Sequence, residues 1–193
     1  MNQLIIFIKN PVKGKVKTRL AAGIGNDKAL EIYLILIDHT LKIAAKTNSD
    51  KHLFFSDYLT EDYSGTTKNC QHGNDLGERM KNAFHSVMKG EEIKTIIIGT
   101  DCAELNHEII TLAFEKLETH DLVIGPAIDG GYYLLGMKKY FPEIFIGIEW
   151  STSEVLVQTI ELANKNSKSV YLLPVLCDID TEEDLFSLSN AGI

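Results

Sequence analysis

The chain has 193 residues, 45% of them apolar and 24% charged, which excludes disorder, collagen-like repeats and coiled-coil rods and fits one globular domain spanning residues 1–193. Its 27 acidic and 19 basic side chains leave a formal charge of −8, which argues against nucleic acid or an anionic membrane surface as a partner. That average hides an asymmetry: Lys9, Lys13, Lys15, Lys17 and Arg19 fall within one short segment without an acid, and the rest of the chain has 14 basic against 27 acidic side chains.

Taken in chain order, residues 3–8 (QLIIFI) form a continuous β-prone apolar run, the pattern of a strand buried on two faces. The polar, basic segment 9–18 reads as a loop. Apolar residues at spacings of three and four from Leu30 to Ala44 predict a helix over 27–46, with Asn26 or Asp27 as its cap. Residues 51–56 read as a second strand and 58–70 as a loop-rich excursion. Leu76, Met80, Ala83, Phe84 and Val87 mark a helix that stops at Gly90, and residues 95–98 (TIII) a third buried strand. Asn106 is placed to cap a helix through Leu117. Residues 122–124 and 132–135 are strands on either side of the Gly130-Gly131 turn. A helix is expected from Ser151 or Thr152 to Ala163, a last strand over 170–176 and a short helix over 181–188 capped by Thr181. Strands alternating with helices imply an α/β domain with a mainly parallel sheet, whose ligands bind beyond the carboxyl ends of the strands near a switch in strand order.

No apolar run approaches the roughly 18 to 20 residues that span a bilayer. The first apolar stretch ends at Lys9, short of the roughly 7 residues of a signal-peptide core, so a cytoplasmic location is expected. Cys70, Cys102 and Cys177 are odd in number and widely spaced, which suggests neither a disulfide framework nor a zinc site.

Five segments carry residues suited to chemistry. In the loop after the first strand, Gly14 lets backbone approach an anion while Lys9, Lys13, Lys17 and Arg19 can donate to phosphate oxygens beside Pro11. This is neither a Walker A loop nor a dinucleotide fingerprint. Asp101 lies just beyond a buried strand, where a carboxylate can hold Mg²⁺ or Mn²⁺ together with substrate phosphates. Asp129, Gly130, Gly131 and Tyr132 form a turn that a ligand can approach closely. Asp180 is a second metal ligand, an active-site base or a helix cap. Asp75 and Arg79 stand at a helix entry, Arg79 within reach of phosphate and Asp75 also suited to be a plain N-cap.

Taken together, F-x-K-x-P-x-x-G-x-x-K-T-R-L (7–20), Q-x-G-x-D-L-G-E-R-M (71–80), G-T-D (99–101), G-P-A-x-D-G-G-Y-Y-L-L-G (125–136) and D-x-D-T-x-E-D-L (178–185) resemble, in residues and order, the bacterial rSAM/selenodomain-associated transferase 1 family. That family is also described as arsenosugar-biosynthesis-type glycosyltransferases, within the nucleotide-diphospho-sugar transferase (GT-A) superfamily. The resemblance implies a three-layer α/β/α domain and a metal-dependent transferase with a nucleotide or nucleotide-sugar donor and a small-molecule acceptor. Carried onto this chain, it puts phosphates at Lys13, Lys17 and Arg19, Mg²⁺ or Mn²⁺ on Asp101 with Asp180, and the acceptor at Asp129, Gly130 and Gly131. Asp129 or Asp180 would take the acceptor's proton. Glycosyl transfer leads, nucleotidyl transfer follows, and nucleotide binding without catalysis is the third reading. The sequence departs from the family pattern after Asp101, where Cys102 and Ala103 replace the second acid of D-x-D.

Overall fold

A computed structural model describes residues 2–59, 63 and 65–185. Among the described residues seven strands form one sheet, in the order β3-β2-β1-β4-β6-β5-β7. β1 (Gln3–Ile8), β2 (Asp50–Phe55), β3 (Thr67–Cys70) and β4 (Thr95–Ile98) run parallel, as do β5 (Leu122–Pro126) and β7 (Val170–Leu172). β6 (Tyr132–Met137) alone is antiparallel to its neighbours β4 and β5. The expected three-layer, mainly parallel α/β domain is what the chain adopts.

The alternation of side chains along buried strands builds the layers. Leu4, Ile6 and Ile8 of β1 pack with Ile96, Ile98, Leu53 and Phe55 under Tyr33 and Ile37 of α2 (Asn26–Ala45) and Ile110 and Phe114 of α4 (His107–Lys116). Ile5, Ile97, Ile124 and Leu135 point the other way, onto Met80 and Phe84 of α3 (Leu76–Met88) and Ala163 of α5 (Val155–Lys165). Both faces of β1 and β4 are sealed, so truncating one of their aliphatic side chains to Ala should cost about 2 to 5 kcal/mol.

Several boundaries differ from the sequence reading, each for a local reason. A short helix α1 (Thr18–Ile24) grows out of the basic loop and buries Leu20 against Ala29, Leu36, Ala103 and Ile179. It has no side-chain cap and contains Gly23, so nothing local announces it. α1 passes into α2 through Gly25 (φ 88°), which places Asn26 and Asp27 inside the helix instead of at its cap. β3 lies in the segment read as loop-rich; TKNC has no apolar pattern, and its pairing to β2 makes it a strand. α5 begins at Val155 because Ser151 (φ 65°) turns the chain and the Thr152 hydroxyl donates to the Glu149 carbonyl at 2.7 Å. β7 ends at Leu172, two residues before Pro174, although Leu176 still donates to the Pro126 carbonyl at 3.1 Å. Of the expected terminal helix a 3-10 turn, Glu183–Leu185, is present, and 186–188 lie outside the described residues. Among the described residues no helix is long and apolar enough to cross a membrane.

Strand order reverses at β1: β2 and β3 lie on one side, β4 on the other. The crevice beyond the carboxyl ends of β1 and β4 is therefore where such sheets bind ligands. It receives residues 9–17 from β1 and 99–105 from β4.

Candidate active site

The two loops at this crevice are tied together by a buried hydroxyl. Tyr33 of α2 accepts from the Lys9 amide at 2.9 Å, and its oxygen lies 3.1 Å from the Lys9 carbonyl and from Thr100 Oγ1. Burial and the nearby Asp101 charge push the phenol pKa well above its ordinary value, so it stays neutral. A second tie comes from Asn10, 3% exposed, whose Oδ1 accepts from the amides of Asp57 (2.9 Å) and Tyr58 (3.3 Å) and whose Nδ2 donates to the Tyr58 carbonyl at 2.9 Å. Asn10 thereby anchors the basic loop to the end of β2. Neither residue stands out in the sequence. Their only signals are an Asn directly after the buried strand and a Tyr on the inward stripe of α2.

Lys17, in the left-handed conformation (φ 48°, ψ 45°), opens α1 and turns its side chain inward until 4% remains exposed. Its Nζ lies 2.5 Å from Asp101 Oδ1 and 3.3 Å from Asp180 Oδ1, and Arg19 approaches Asp180 Oδ2 at 3.8 Å. Burial works against the ammonium, but the charges and hydrogen bonds of Asp101 and Asp180 outweigh it and the pKa rises above its ordinary value. Lys17 and Asp180 thus meet across 163 positions of the chain, and residues 99–101 and 178–180 are brought together around the ammonium. The Ile179 amide donates to the Asp101 carbonyl at 2.8 Å, and the Cys177 amide to Glu104 Oε2 at 2.9 Å. Asp184 then caps the turn, accepting from the amides of Asp180 (2.9 Å) and Thr181 (2.7 Å).

Asp178 joins this cluster. Burial, then the charges of Asp101, Asp129 and Asp180, push its carboxyl up to about 7, with Lys17 acting in the opposite sense. Acids from two separate stretches of chain, Asp101 and Asp178 with Asp180, therefore gather around one ammonium, and Asp129 lies close enough to Asp178 to act on it.

The other expected residues fall into distinct positions. Lys9, Lys13, Gly14 and Arg19 are exposed along the mouth and Pro11 is half-buried. Lys13 pairs with Asp27 at 2.6 Å, and Gly14 has the positive φ of 78° that its turn requires. Asp75 is the N-cap of α3, accepting from the Glu78 amide at 2.7 Å, and Arg79 Nε donates to the Gly73 carbonyl at 3.2 Å. The helix entry thus uses Asp75 as the plain cap. Asp129 Oδ1 accepts from the Gly131 amide at 2.9 Å. Gly130 has φ 89°, and a Cβ there would lie 2.2 Å from the Ser153 carbonyl oxygen, so the segment leading into α5 presses directly on this turn. Tyr132 differs from expectation: it packs on the α3 side of the sheet, with its hydroxyl buried beside Thr159, because the first residue of β6 points inward. Trp150 lies against Gly77, where a Cβ would be 2.2 Å from the indole. Cys102 is buried, and desolvation pushes its thiol pKa far up, which removes it as a nucleophile.

The donor set suits a hard divalent cation. Asp101 and Asp180 offer carboxylate oxygens that converge on one point, already held by a positive charge, and each is partly exposed to a ligand. Among the described residues no three His, Cys, Asp or Glu side chains converge as a preformed cage. Two carboxylates completed by phosphate oxygens and water is the coordination that Mg²⁺ favours in nucleotide sites.

Comparison with known proteins agrees with this architecture. A crystal structure from Desulfovibrio desulfuricans G20, provisionally named a nucleotide-diphospho-sugar transferase, superposes with a TM-score of 0.91 at 31% identity, covering 98% of this chain and 87% of that one. More distant structures share the fold. An inositol-1-phosphate CTP transferase from T. maritima has a TM-score of 0.64 at 13% identity, covering 100% and 95% of the two chains. A CMP:2-keto-3-deoxy-manno-octonic acid synthetase complexed with CTP has 0.63 at 10%, covering 100% and 99%. No curated protein matches the sequence. The family model described as "Uncharacterized protein conserved in bacteria (DUF2064)" matches residues 36–152, from α2 through the Gly130 turn to the α5 approach, and with that match over more than half its length the chain belongs to the DUF2064 family.

Proposed function

We propose that this chain is a cytoplasmic transferase that draws on a nucleotide-linked donor, and specifically a glycosyltransferase moving a sugar from a nucleotide sugar to a small-molecule acceptor. The observation that carries the reading is the buried Lys17 ammonium between Asp101 and Asp180, beside a basic loop at the β1/β4 crevice. The resemblance of five motifs to a glycosyltransferase family, and the name given to the D. desulfuricans protein, support sugar transfer.

Asp101 and Asp180 would hold Mg²⁺ or Mn²⁺, which when bound neutralises charge on the leaving phosphate. Lys17 keeps the two carboxylates convergent and adds a fixed positive charge where the leaving group becomes more negative. Lys9, Lys13 and Arg19 stand exposed at the mouth to bind and orient phosphate oxygens. Asp129, steadied through Oδ1 by the Gly131 amide, takes the proton of the acceptor hydroxyl with its other oxygen. Gly131, whose missing Cβ would stand next to the Asp129 carboxylate, leaves room for the acceptor beside it.

Nucleotidyl transfer with pyrophosphate release is the second reading, favoured by the CTP-using proteins that share the fold. Incubating the protein with Mn²⁺ and a panel of nucleoside triphosphates and nucleotide sugars, with melting temperature and released products followed together, separates the readings. Stabilisation by a nucleotide sugar with release of nucleoside diphosphate is the expected result. Pyrophosphate release from a triphosphate establishes the second reading, and binding without turnover a non-catalytic role. If no nucleotide shifts the melt, the site assignment is wrong.

A further inference from the structure

The charge asymmetry of the chain becomes a spatial one at the carboxyl edge of the sheet. Four segments meet on the acceptor side: 99–106, 125–131, 149–156 and 174–185. The Ile179 amide joins the last to Asp101, the Ile128 amide donates to the Leu176 carbonyl at 3.1 Å, and the Leu156 amide donates to the Gly130 carbonyl at 2.9 Å. Together they contain ten acidic side chains and no Lys, Arg or His. Facing them is the basic loop with Lys9, Lys13 and Lys15, from which Lys17 and Arg19 reach into the acids at Asp101 and Asp180. A divalent cation on Asp101 and Asp180 would leave most of the other acids of these segments without a cation among them, including Asp129 and the exposed Glu149 and Glu154 before α5.

A site lined by one sign of charge concentrates counter-charges and expels like charges. Joining a nucleotide to a phosphate monoester or a sugar acid requires two anions to meet, hence cations on each side of the crevice; the four acceptor-side segments supply none, and Arg79, at the α3 entry that packs on Trp150, is turned to the Gly73 carbonyl. Resting on the transferase reading above, we propose that the acceptor is a hydroxyl compound without a negative charge, and that phosphorylated and carboxylated acceptors are rejected. The donor's phosphates occupy the basic half and the acceptor alcohol the acidic half, the Asp129 carboxylate taking the proton as the alcohol oxygen forms its new bond to the sugar carbon and the nucleoside diphosphate leaves.

Charged thiol reagents test the acceptor half without knowledge of the acceptor. In a Cys70→Ser, Cys177→Ser background, with Cys102 buried, Ser153→Cys puts a reporter thiol against the Gly130 turn and Lys15→Cys puts one on the basic loop. After correction for rates with a free thiol, a cationic methanethiosulfonate should modify the thiol at position 153 about tenfold faster than an anionic one of matched size, and the preference should invert for the thiol at position 15. Adding Glu149→Lys and Glu154→Lys to the Ser153→Cys variant should reduce its preference for the cation. Equal rates at position 153, or faster modification by the anion, overturn the proposal. In the transfer assay, sugars and polyols are compared with their own phosphate esters at equal concentration; transfer to an ester as fast as to its uncharged parent overturns it as well. Calorimetric titration with UDP and CDP in Mn²⁺ separates the two levels: absence of nucleotide binding removes the transferase reading and the acceptor assignment with it, whereas nucleotide binding together with anion-preferring modification at position 153 removes the acceptor assignment alone.

Discussion

Lys17 concentrates more of the proposed chemistry than any other residue, because its ammonium is both buried and shared by two acids. Replacing it with Met keeps the volume and removes the charge, leaving Asp101 and Asp180 to repel each other. Lys17→Met should therefore lower transfer at least about 100-fold, a size usual for loss of a preorganised charge at the leaving group. It should also make thermal stability depend on added Mn²⁺, a dependence that melting curves with and without the metal would detect. Tyr33→Phe tests the tie between the two loops. The ring remains in the core, so the fold should persist with a loss of about 1 kcal/mol. Nucleotide affinity should fall severalfold because Lys9 and Thr100 lose their common partner, and isothermal titration of wild type against variant would reveal an unchanged affinity if the tie is irrelevant to binding. Lys17 was visible in the sequence as one cation of a phosphate loop. That it faces two carboxylates was not, since Asp180 lies far along the chain and only the close of the fold brings it there.

Secondary-structure elements meet through glycines that admit large neighbours. Gly77 at the start of α3 receives Trp150, and Gly125 of β5 receives the Tyr133 ring, each with no space for a Cβ. Gly77→Ala should separate α3 from the segment before α5 and destabilise the protein by roughly 1 to 3 kcal/mol, the usual cost of overpacking; a denaturation midpoint equal to wild type would contradict this. At the opposite end of the sheet, Asp121 joins β5 to β7 by accepting from the Ser169 amide at 3.0 Å and hydroxyl at 2.8 Å, 3.9 Å from Lys138. The Ser169 hydrogen bonds hold its carboxyl below the usual range, despite some desolvation. A lowered carboxylate pKa contributes stability that is present above the unfolded-state value and is lost as pH falls through the folded-state value. Asp121→Asn should accordingly cost about 1 kcal/mol at about pH 7 and progressively less below about pH 4, as urea titrations across that range would measure. The long periodic helices and the buried strands were legible from spacing. α1 and β3 were not, because one is a short uncapped helix held by Leu20 and the other a polar edge strand held by its ladder to β2.

At the scale of the whole molecule, the net charge of −8 is the sum of a basic loop and an acidic remainder. Nucleotide binding at the basic loop should weaken as salt rises from about 0.05 M to about 0.5 M, since exposed charges are screened over the shorter Debye length. The buried Lys17 contact should resist that screening, so a Lys9→Ala, Lys13→Ala, Arg19→Ala triple variant should lose most of the salt dependence and retain measurable binding. An unchanged slope of affinity against salt would place the nucleotide away from this loop.

What the sequence by itself determined was the α/β class, the two-sided burial of β1 and β4, and the residue types at the carboxyl edge. These follow from local periodicity and from a charge imbalance that is visible without coordinates. The tertiary structure decided the antiparallel insertion of β6, the meeting of Asp101, Asp178 and Asp180 around Lys17, and the inward turn of the Tyr132 hydroxyl. Those features depend on strand order and on contacts between residues far apart in the chain. Local propensity carries no information about such contacts, and packing settles them only when the whole sheet is closed.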